Sequence, residues 1–448
     1  MNDWASAEHR AENAQQLYES GQYVRAAEEL RSAIEINPYN ASWHFNLALS
    51  LDAMGAHEQA IQAYEHVLRL EPDDLDSLNG LGVDLTRLGK YAQALECFER
   101  AERIDPAYEP SYCNRIITYT EMGDHEQAET AFYLARQVKD ECPLCLYNIG
   151  NSLYERGQYR RAMACWNQAL SLDPEHPQAH ARIGDAYWAL GELAKAQRHY
   201  LAELRLDPTD TETLLDLAEL LTEMGKYDDA SASFRRVLEG EPDHPGAHGG
   251  LGELAMKRGD LPEAEDQFRL VLKIDRHFPG AHQKLGEVLL RQGRVDQAGI
   301  HFLAELRHAG DDPRTLSELG QLLLEARKVA QARNVLRKLV QLQPENPHAE
   351  HNLGVSCFLL GDLDGGILHC RRALKLRPNY PTALYNLALA HVRKNHLLRA
   401  RRYIAKAMAQ DPADEQILAL ARQLGLLGFW TNFKARIRRR RRPRGRER

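Results

Sequence analysis

The chain has 448 residues, 44% hydrophobic and 27% charged, with 30 Gly and 19 Pro; this is the composition of a folded protein and excludes a disordered or collagen-like one. No stretch reaches the roughly 18 uninterrupted apolar residues of a membrane-spanning helix, and the opening MNDWASAEHRAEN lacks the basic and apolar regions of a secretion signal. The net charge of −7 has two parts: residues 434–448 carry ten Lys or Arg against one Glu, leaving 47 basic against 63 acidic residues, a net −16, ahead of them.

These features predict a cytoplasmic location, with attachment at a membrane surface left open. Cys97, Cys113, Cys142, Cys145, Cys165, Cys357 and Cys370 are an odd set scattered through helical patterns. They predict reduced, packed thiols rather than a disulfide framework.

Residues 1–6 read as a short extension. From residue 7 a period of 34 runs through twelve units: 7–40, 41–74, 75–108, 109–142, 143–176, 177–210, 211–244, 245–278, 279–312, 313–346, 347–380 and 381–414. Three series hold this phase without an insertion. Pro occupies one slot from Pro38 to Pro412, replaced by Asp140, Arg276 and Gly310. Gly occupies a second from Gly21 to Gly361, with Arg327 and Asn395 in its place in two units. Ala follows five residues later from Ala26 to Ala400, with Gly366 as the exception.

Each slot predicts a piece of structure. A small residue such as Gly150 or Gly252 in the first helix of a unit, helix A, implies a close crossing with the second, helix B, because mid-helix Gly otherwise costs about 1 kcal/mol relative to Ala. The recurring Gly after helix A predicts a left-handed turn. Asp-Pro or Glu-Pro, as in Asp105-Pro106, stops helix B, since Pro cannot continue it. Unit 109–142 departs furthest, with Arg115 in the Leu slot, Ile116 in the small slot and Asp140 for Pro. Residues 415–424 predict a capping helix, which a stack with one apolar end needs.

The pattern Leu146, Ile149, Gly150, Leu153, Ala162, Trp166, Pro174 resembles the tetratricopeptide repeat (TPR), and the resemblance covers about nine-tenths of the chain. It implies an all-α fold, a right-handed α-solenoid superhelix of tandem helix-turn-helix units. It also implies ligand contacts at the second, fifth, sixth, ninth, twelfth and thirteenth positions of helix A. The sixth position reads Asn46, Asn114, Asn148, Asn352 and Asn386, which resembles in part the asparagine ladder of the O-linked N-acetylglucosamine transferase repeat domain. A carboxamide offers a peptide unit both donor and acceptor, and the same Asn is also plain repeat consensus. The ninth position in four successive units reads Asp185, Glu219, Glu253 and Glu287, an acidic file diluted by Arg182, Lys257, Lys284 and Arg291, which reads equally as a negative groove that favours a basic partner segment and as a solvated helix face. Three successive units with Lys, Arg and Asn for an acidic peptide terminus do not occur.

Catalytic motifs dissolve in this register. Gly250-Leu251-Gly252 lies inside a predicted helix with no strand before it, and Leu88-Gly89-Lys90 is an inter-helix turn. No cofactor and no metal are expected, and the chain is read as non-catalytic. The weak metal candidate is the pair Cys142 and Cys145, with Cys113 or a second chain needed to complete it. A redox dithiol is a second reading, since Cys142 precedes a predicted helix and its thiol pKa would fall there, and the preferred reading is an adventitious pair without chemistry. The pairs His176/His180, His244/His248 and His348/His351 read as surface decoration.

In residues 425–448, Leu426, Phe429, Trp430, Phe433 and Ile437 share one helical face beside Lys434, Arg436, Arg438, Arg439, Arg440, Arg441 and Arg442. Such a segment suits an anionic membrane surface, nucleic acid, the chain's own acidic groove, or an inert solubilising tail. The functional expectation is a scaffold or adaptor that holds a protein or peptide ligand. The alternatives are a repeat subunit of an enzyme or secretion complex, such as a glycosyltransferase partner, or a nucleic-acid-associated factor.

Overall fold

A computed structural model describes residues 3–308 and 310–426, and these form 25 helices with no strand among them. The first pairs are α1 (Asp3–Glu19) with α2 (Tyr23–Ile36), α3 (Ala41–Ala53) with α4 (His57–Leu70), and α5 (Leu75–Arg87) with α6 (Tyr91–Ile104). Then come α7 (Glu109–Glu121) with α8 (His125–Val138), α9 (Pro143–Glu155) with α10 (Tyr159–Leu172), and α11 (Ala179–Ala189) with α12 (Leu193–Leu206). They are followed by α13 (Thr211–Glu223) with α14 (Tyr227–Gly240), α15 (Pro245–Arg258) with α16 (Leu261–Ile274), and α17 (Ala281–Arg291) with α18 (Val295–His308). The series ends with α19 (Pro313–Glu325) and α20 (Val329–Leu342), α21 (Pro347–Leu359) and α22 (Leu363–Leu376), α23 (Pro381–Arg393) and α24 (Leu397–Gln410), and the single helix α25 (Glu415–Gln423). Helix α1 begins at Asp3, so described residues of the expected extension are helical.

The helices group into two compact units, one up to Arg236 and the other from Val237 onward. In the first, Phe98, Trp166 and Tyr200 are fully buried; in the second, Phe302 and Leu336 are, and Phe268 nearly so. Each of these side chains from a helix B lies against the small residue of its own helix A. A Cβ added at Gly150 would stand 2.7 Å from Trp166 Cδ1. Glycine is required there by proximity alone, and the gap it leaves is filled by the indole.

Local chemistry sets the helix ends. Asn40, Asp74, Asp312 and Asn346 cap α3, α5, α19 and α21 by accepting from backbone N–H groups. The turn slot adopts positive φ throughout, including Arg327 at 56° and Asn395 at 57°. Two helices start later than the period predicts. Gln178 and Gly280 take left-handed conformations, and α11 and α17 begin after them. The cause is a buried carboxylate in each case: Glu203 accepts from the backbone N–H of Gln178 at 2.8 Å and Ala181 at 3.2 Å, while Glu305 accepts from Gly280 at 3.0 Å and Gln283 at 3.2 Å. Charge-assisted bonds to donors that a helix leaves unpaired offset the cost of burying the acid.

The irregular unit around α7 is held differently. Ile116 is fully buried, and Arg115 bonds Glu102 at 2.7 Å with both side chains largely enclosed. Thr86 and Thr118 share a buried hydroxyl hydrogen bond of 2.8 Å.

Candidate functional site

Helix-A residues of the first compact unit build a cleft of about 440 Å³. Tyr154 enters from α9, Arg182, Asp185 and Trp188 from α11, and Glu212 and Asp216 from α13. These lie at the second, sixth, ninth and twelfth positions of their helices, where the repeat resemblance implies ligand contacts. Arg182 bonds Asp185 at 3.2 Å and approaches Glu212 at 3.4 Å. Tyr200 donates its hydroxyl to Asp185 at 2.6 Å, and Trp188 donates its indole N–H to Glu223 at 2.6 Å.

The carboxylates outnumber the one guanidinium. Asp216 is pushed up to about 7 by its burial first, then by Asp185, Glu212 and Glu219, with Arg182 acting against them. Burial works to lower the Arg182 pKa, yet Tyr147, Asp185 and Glu212 overcome it and hold the group cationic. A second cation would relieve the repulsion around Asp216 and could rest on the faces of Trp188 and Tyr154. Asp216, Trp188 and Tyr154 escaped the sequence reading, which took the sixth position for Asn and for the cations Arg182 and Lys284; an acidic or aromatic count at the sixth and twelfth positions would have found them.

The expected site residues are not equivalent. In the first unit Asp185 is committed to Arg182 and Tyr200, and Glu219 is exposed. In the second, Glu253 bonds Lys284 at 3.0 Å, and Glu287 accepts from Gln283 at 3.1 Å. The asparagines divide as well. Asn114 donates to Asn79 at 2.8 Å, and Asn386 meets His351 at 3.1 Å, so these amides bridge neighbouring A helices. Asn352 lies 3.2 Å from the ring of His351, Asn148 is buried, and Asn46 lines a separate hollow with Tyr18 and Ser50. The five amides therefore sit in different surroundings, two of them paired across to a neighbouring helix A and one paired with the adjacent residue of its own helix.

One histidine of each pair corrects the expectation of surface decoration: His176, His248 and His351 are buried, as are His44 and His391, whereas His348 is exposed. His248 bonds Gln267 at 2.8 Å and the carbonyl of Pro242 at 3.0 Å. In two units His rings from helix A and helix B meet through their nitrogens, His180 with His199 at 3.3 Å and His282 with His301 at 2.9 Å, and in a third His44 stacks on His66 with ring centroids 5.0 Å apart.

Two of the cysteines also depart from expectation. Cys113 and Cys145 are joined as a disulfide, and Cys142 lies beside them with its sulfur 3.7 Å from that of Cys113. The cause is direct packing of α7 on α9, which brings one turn of α7 onto the start of α9. Cys142 caps α9 by accepting from the backbone N–H of Cys145 at 3.1 Å. Its thiol is pushed up to about 11 rather than down, because burial and the Glu109 carboxylate outweigh the helix terminus. Glu109 stays below the usual range: burial would raise it, but bonds from Cys142 and Lys139 prevail.

Elsewhere, buried Asp84 accepts from His57 at 2.9 Å, with Asp52 and Arg87 adjoining. Burial and Asp52 raise Asp84 to about 6 against the pull of His57. Among the described residues no helix is long and apolar enough to cross a membrane. Trp430, Phe433, Lys434, Arg436 and Arg438 to Arg442 lie outside the described residues.

Comparison with known proteins finds no match among curated sequences. Among solved structures, yeast Tom70 is similar at a TM-score of 0.44 and 15% identity, over 87% of this chain and 96% of that one. The Cut9–Hcn1 hetero-tetramer of the APC/C gives 0.41 and 16%, over 93% and 96%. PilF of Pseudomonas aeruginosa gives 0.42 and 21%, over 48% and 97%. Family descriptions match along the chain: "Tetratricopeptide repeat" over residues 17–81, 75–108, 177–210, 215–280, 317–381 and 358–424, and "TPR repeat" over 150–191. With these matches, and helices paired as the repeat requires, the chain belongs to the tetratricopeptide repeat family.

Proposed function

We propose that this chain is a non-catalytic protein-interaction scaffold whose cleft between α9, α11 and α13 takes a basic, extended partner segment. The observation that supports it is the pairing of Trp188 and Tyr154 with the raised carboxyl of Asp216 in one cleft of about 440 Å³. Aromatic faces and under-compensated carboxylates together select Lys or Arg over a neutral or acidic side chain.

Fluorescence anisotropy tests this with the full chain and a labelled synthetic peptide of residues 425–448, beside the same peptide with its Lys and Arg replaced by Glu. The basic peptide binds and the acidic one does not, and the affinity falls with added salt. Affinity rises between pH 6 and 8, because Asp216, held near 7, must ionise to pair with a cation. Asp216→Lys together with Glu212→Lys weakens binding roughly tenfold or more, the equivalent of one close charge pair at about 1.5 kcal/mol. An affinity indifferent to both pH and the double variant would end the proposal.

A further inference from the structure

Three sulfurs and a carboxylate converge where α7 meets the start of α9. Glu109 and Cys113 stand four residues apart on α7, one turn and one face. Cys142 and Cys145 flank the two-residue entry to α9, with Pro143 at its first position. One donor atom from each residue lies within 4.8 Å of all the others. The three cysteines are 1–3% exposed. Two short-range pairs, one from a helix face and one from a C-x-x-C step, are how a chain encloses a tetrahedral ion, because each pair fixes one edge of the tetrahedron locally.

We propose that Glu109, Cys113, Cys142 and Cys145 form a binding site for a thiophilic divalent cation of the Zn²⁺ class in the chain with its thiols reduced. Tetrahedral coordination with metal–sulfur bonds of about 2.3 Å places neighbouring sulfurs roughly 3.8 Å apart. The Cys113 and Cys142 sulfurs are already 3.7 Å apart. Three soft thiolates exclude Mg²⁺ and Ca²⁺, which take oxygen ligands, and favour Zn²⁺. Lys139 bonds one carboxylate oxygen of Glu109 at 2.8 Å, and its charge offsets part of the negative charge of the ligand set. The N–H of Cys145 bonding the Cys142 sulfur orients that ligand in the same way.

The Cys113–Cys145 disulfide is the same site two electrons more oxidised. A dithiol reductant cleaves that S–S bond, giving two thiols and its own cyclic disulfide. Metal binding then exchanges three S–H protons, released to solvent, for three sulfur–metal bonds.

The experiment uses the full chain, reduced with a dithiol, freed of reductant without air and titrated with Co²⁺, then with Zn²⁺. The expected result is one Co²⁺ per chain, with thiolate charge-transfer bands in the near ultraviolet and the visible bands of tetrahedral cobalt, erased by Zn²⁺. Cys142→Ser and Cys113→Ser reduce the charge-transfer intensity by about a third for each sulfur lost, as three ligating sulfurs require. Glu109→Gln keeps all three thiolate contributions but weakens binding by at least the roughly 10–100-fold that loss of an outer-shell partner costs. A reduced wild-type chain that takes up no cobalt overturns the proposal and leaves a structural disulfide only. So does a cobalt spectrum unchanged in Cys142→Ser. The wild-type titration decides alone if a variant misfolds.

Discussion

Gly150→Ala adds one methyl group where the repeat has least room. The new carbon would lie 2.7 Å from Trp166 Cδ1 and 2.9 Å from Cε2, inside van der Waals contact with a side chain that is itself fully buried. The indole cannot retreat freely, because its N–H bonds the Tyr147 carbonyl at 3.1 Å and Asn151 at 3.2 Å. Overpacking of this kind costs about 1–3 kcal/mol, and disturbing that hydrogen bonding adds about 1 kcal/mol. Against it stands the helix propensity of Ala, worth about 1 kcal/mol over Gly. The net expectation is a loss of about 1–3 kcal/mol. Gly249 is the control: it lies within α15, and nothing stands within 4 Å of a Cβ added there. Gly249→Ala should therefore keep the propensity term alone and stabilise by about 0.5–1 kcal/mol. Stability in a repeat array is a sum of local terms, so hydrogen exchange reads each change in place, faster across α9 and α10 for the first variant and slower across α15 and α16 for the second. Two variants that shift exchange in the same direction would refute the close-crossing argument.

Arg327 holds φ at 56° in the turn slot that Gly fills elsewhere. Removing a left-handed side chain should stabilise by about 1 kcal/mol, so Arg327→Gly should raise the urea midpoint; a lowered midpoint would show that the Arg327 side chain contributes more than its backbone costs. Histidine pairing makes stability depend on acid. Burial first, and His180 second, lower His199 to about 4, and burial lowers His282 and His301 as well. The unfolded chain therefore binds more protons than the folded one below about 6.5, so stability is present above that pH and is lost as pH falls toward 4. His199→Gln should flatten thermal melting points between pH 7 and 5 relative to the wild type, and an unchanged slope would count against the pairing.

The helix pairs are legible in the sequence because their signals are local. Pro ends a helix, positive φ selects Gly, and a mid-helix Gly advertises a close neighbour; each acts within a turn or two, so a period of 34 exposes all three. The late starts of α11 and α17 are not legible in this way, since Glu203 and Glu305 reach back 25 residues to their donors. The same holds for the cleft. The ninth-position acids were visible as a column, but which of them stays available depends on the neighbouring helix: Asp185 is taken by Arg182 and Tyr200, and Glu253 by Lys284. Asp216 carries no motif at all, and its carboxyl is raised first by burial and then by acids gathered from two A helices.

The sequence by itself determined the family, the number and order of helical units and the residues that turn the chain, because those depend on backbone chemistry repeated in register. Tertiary structure alone decided which polar side chains meet. It brought Cys113 to Cys142 and Cys145, buried five histidines, and set Trp188 beside Asp216, because helix packing turns residues 30 or so apart into neighbours, and burial then changes their chemistry.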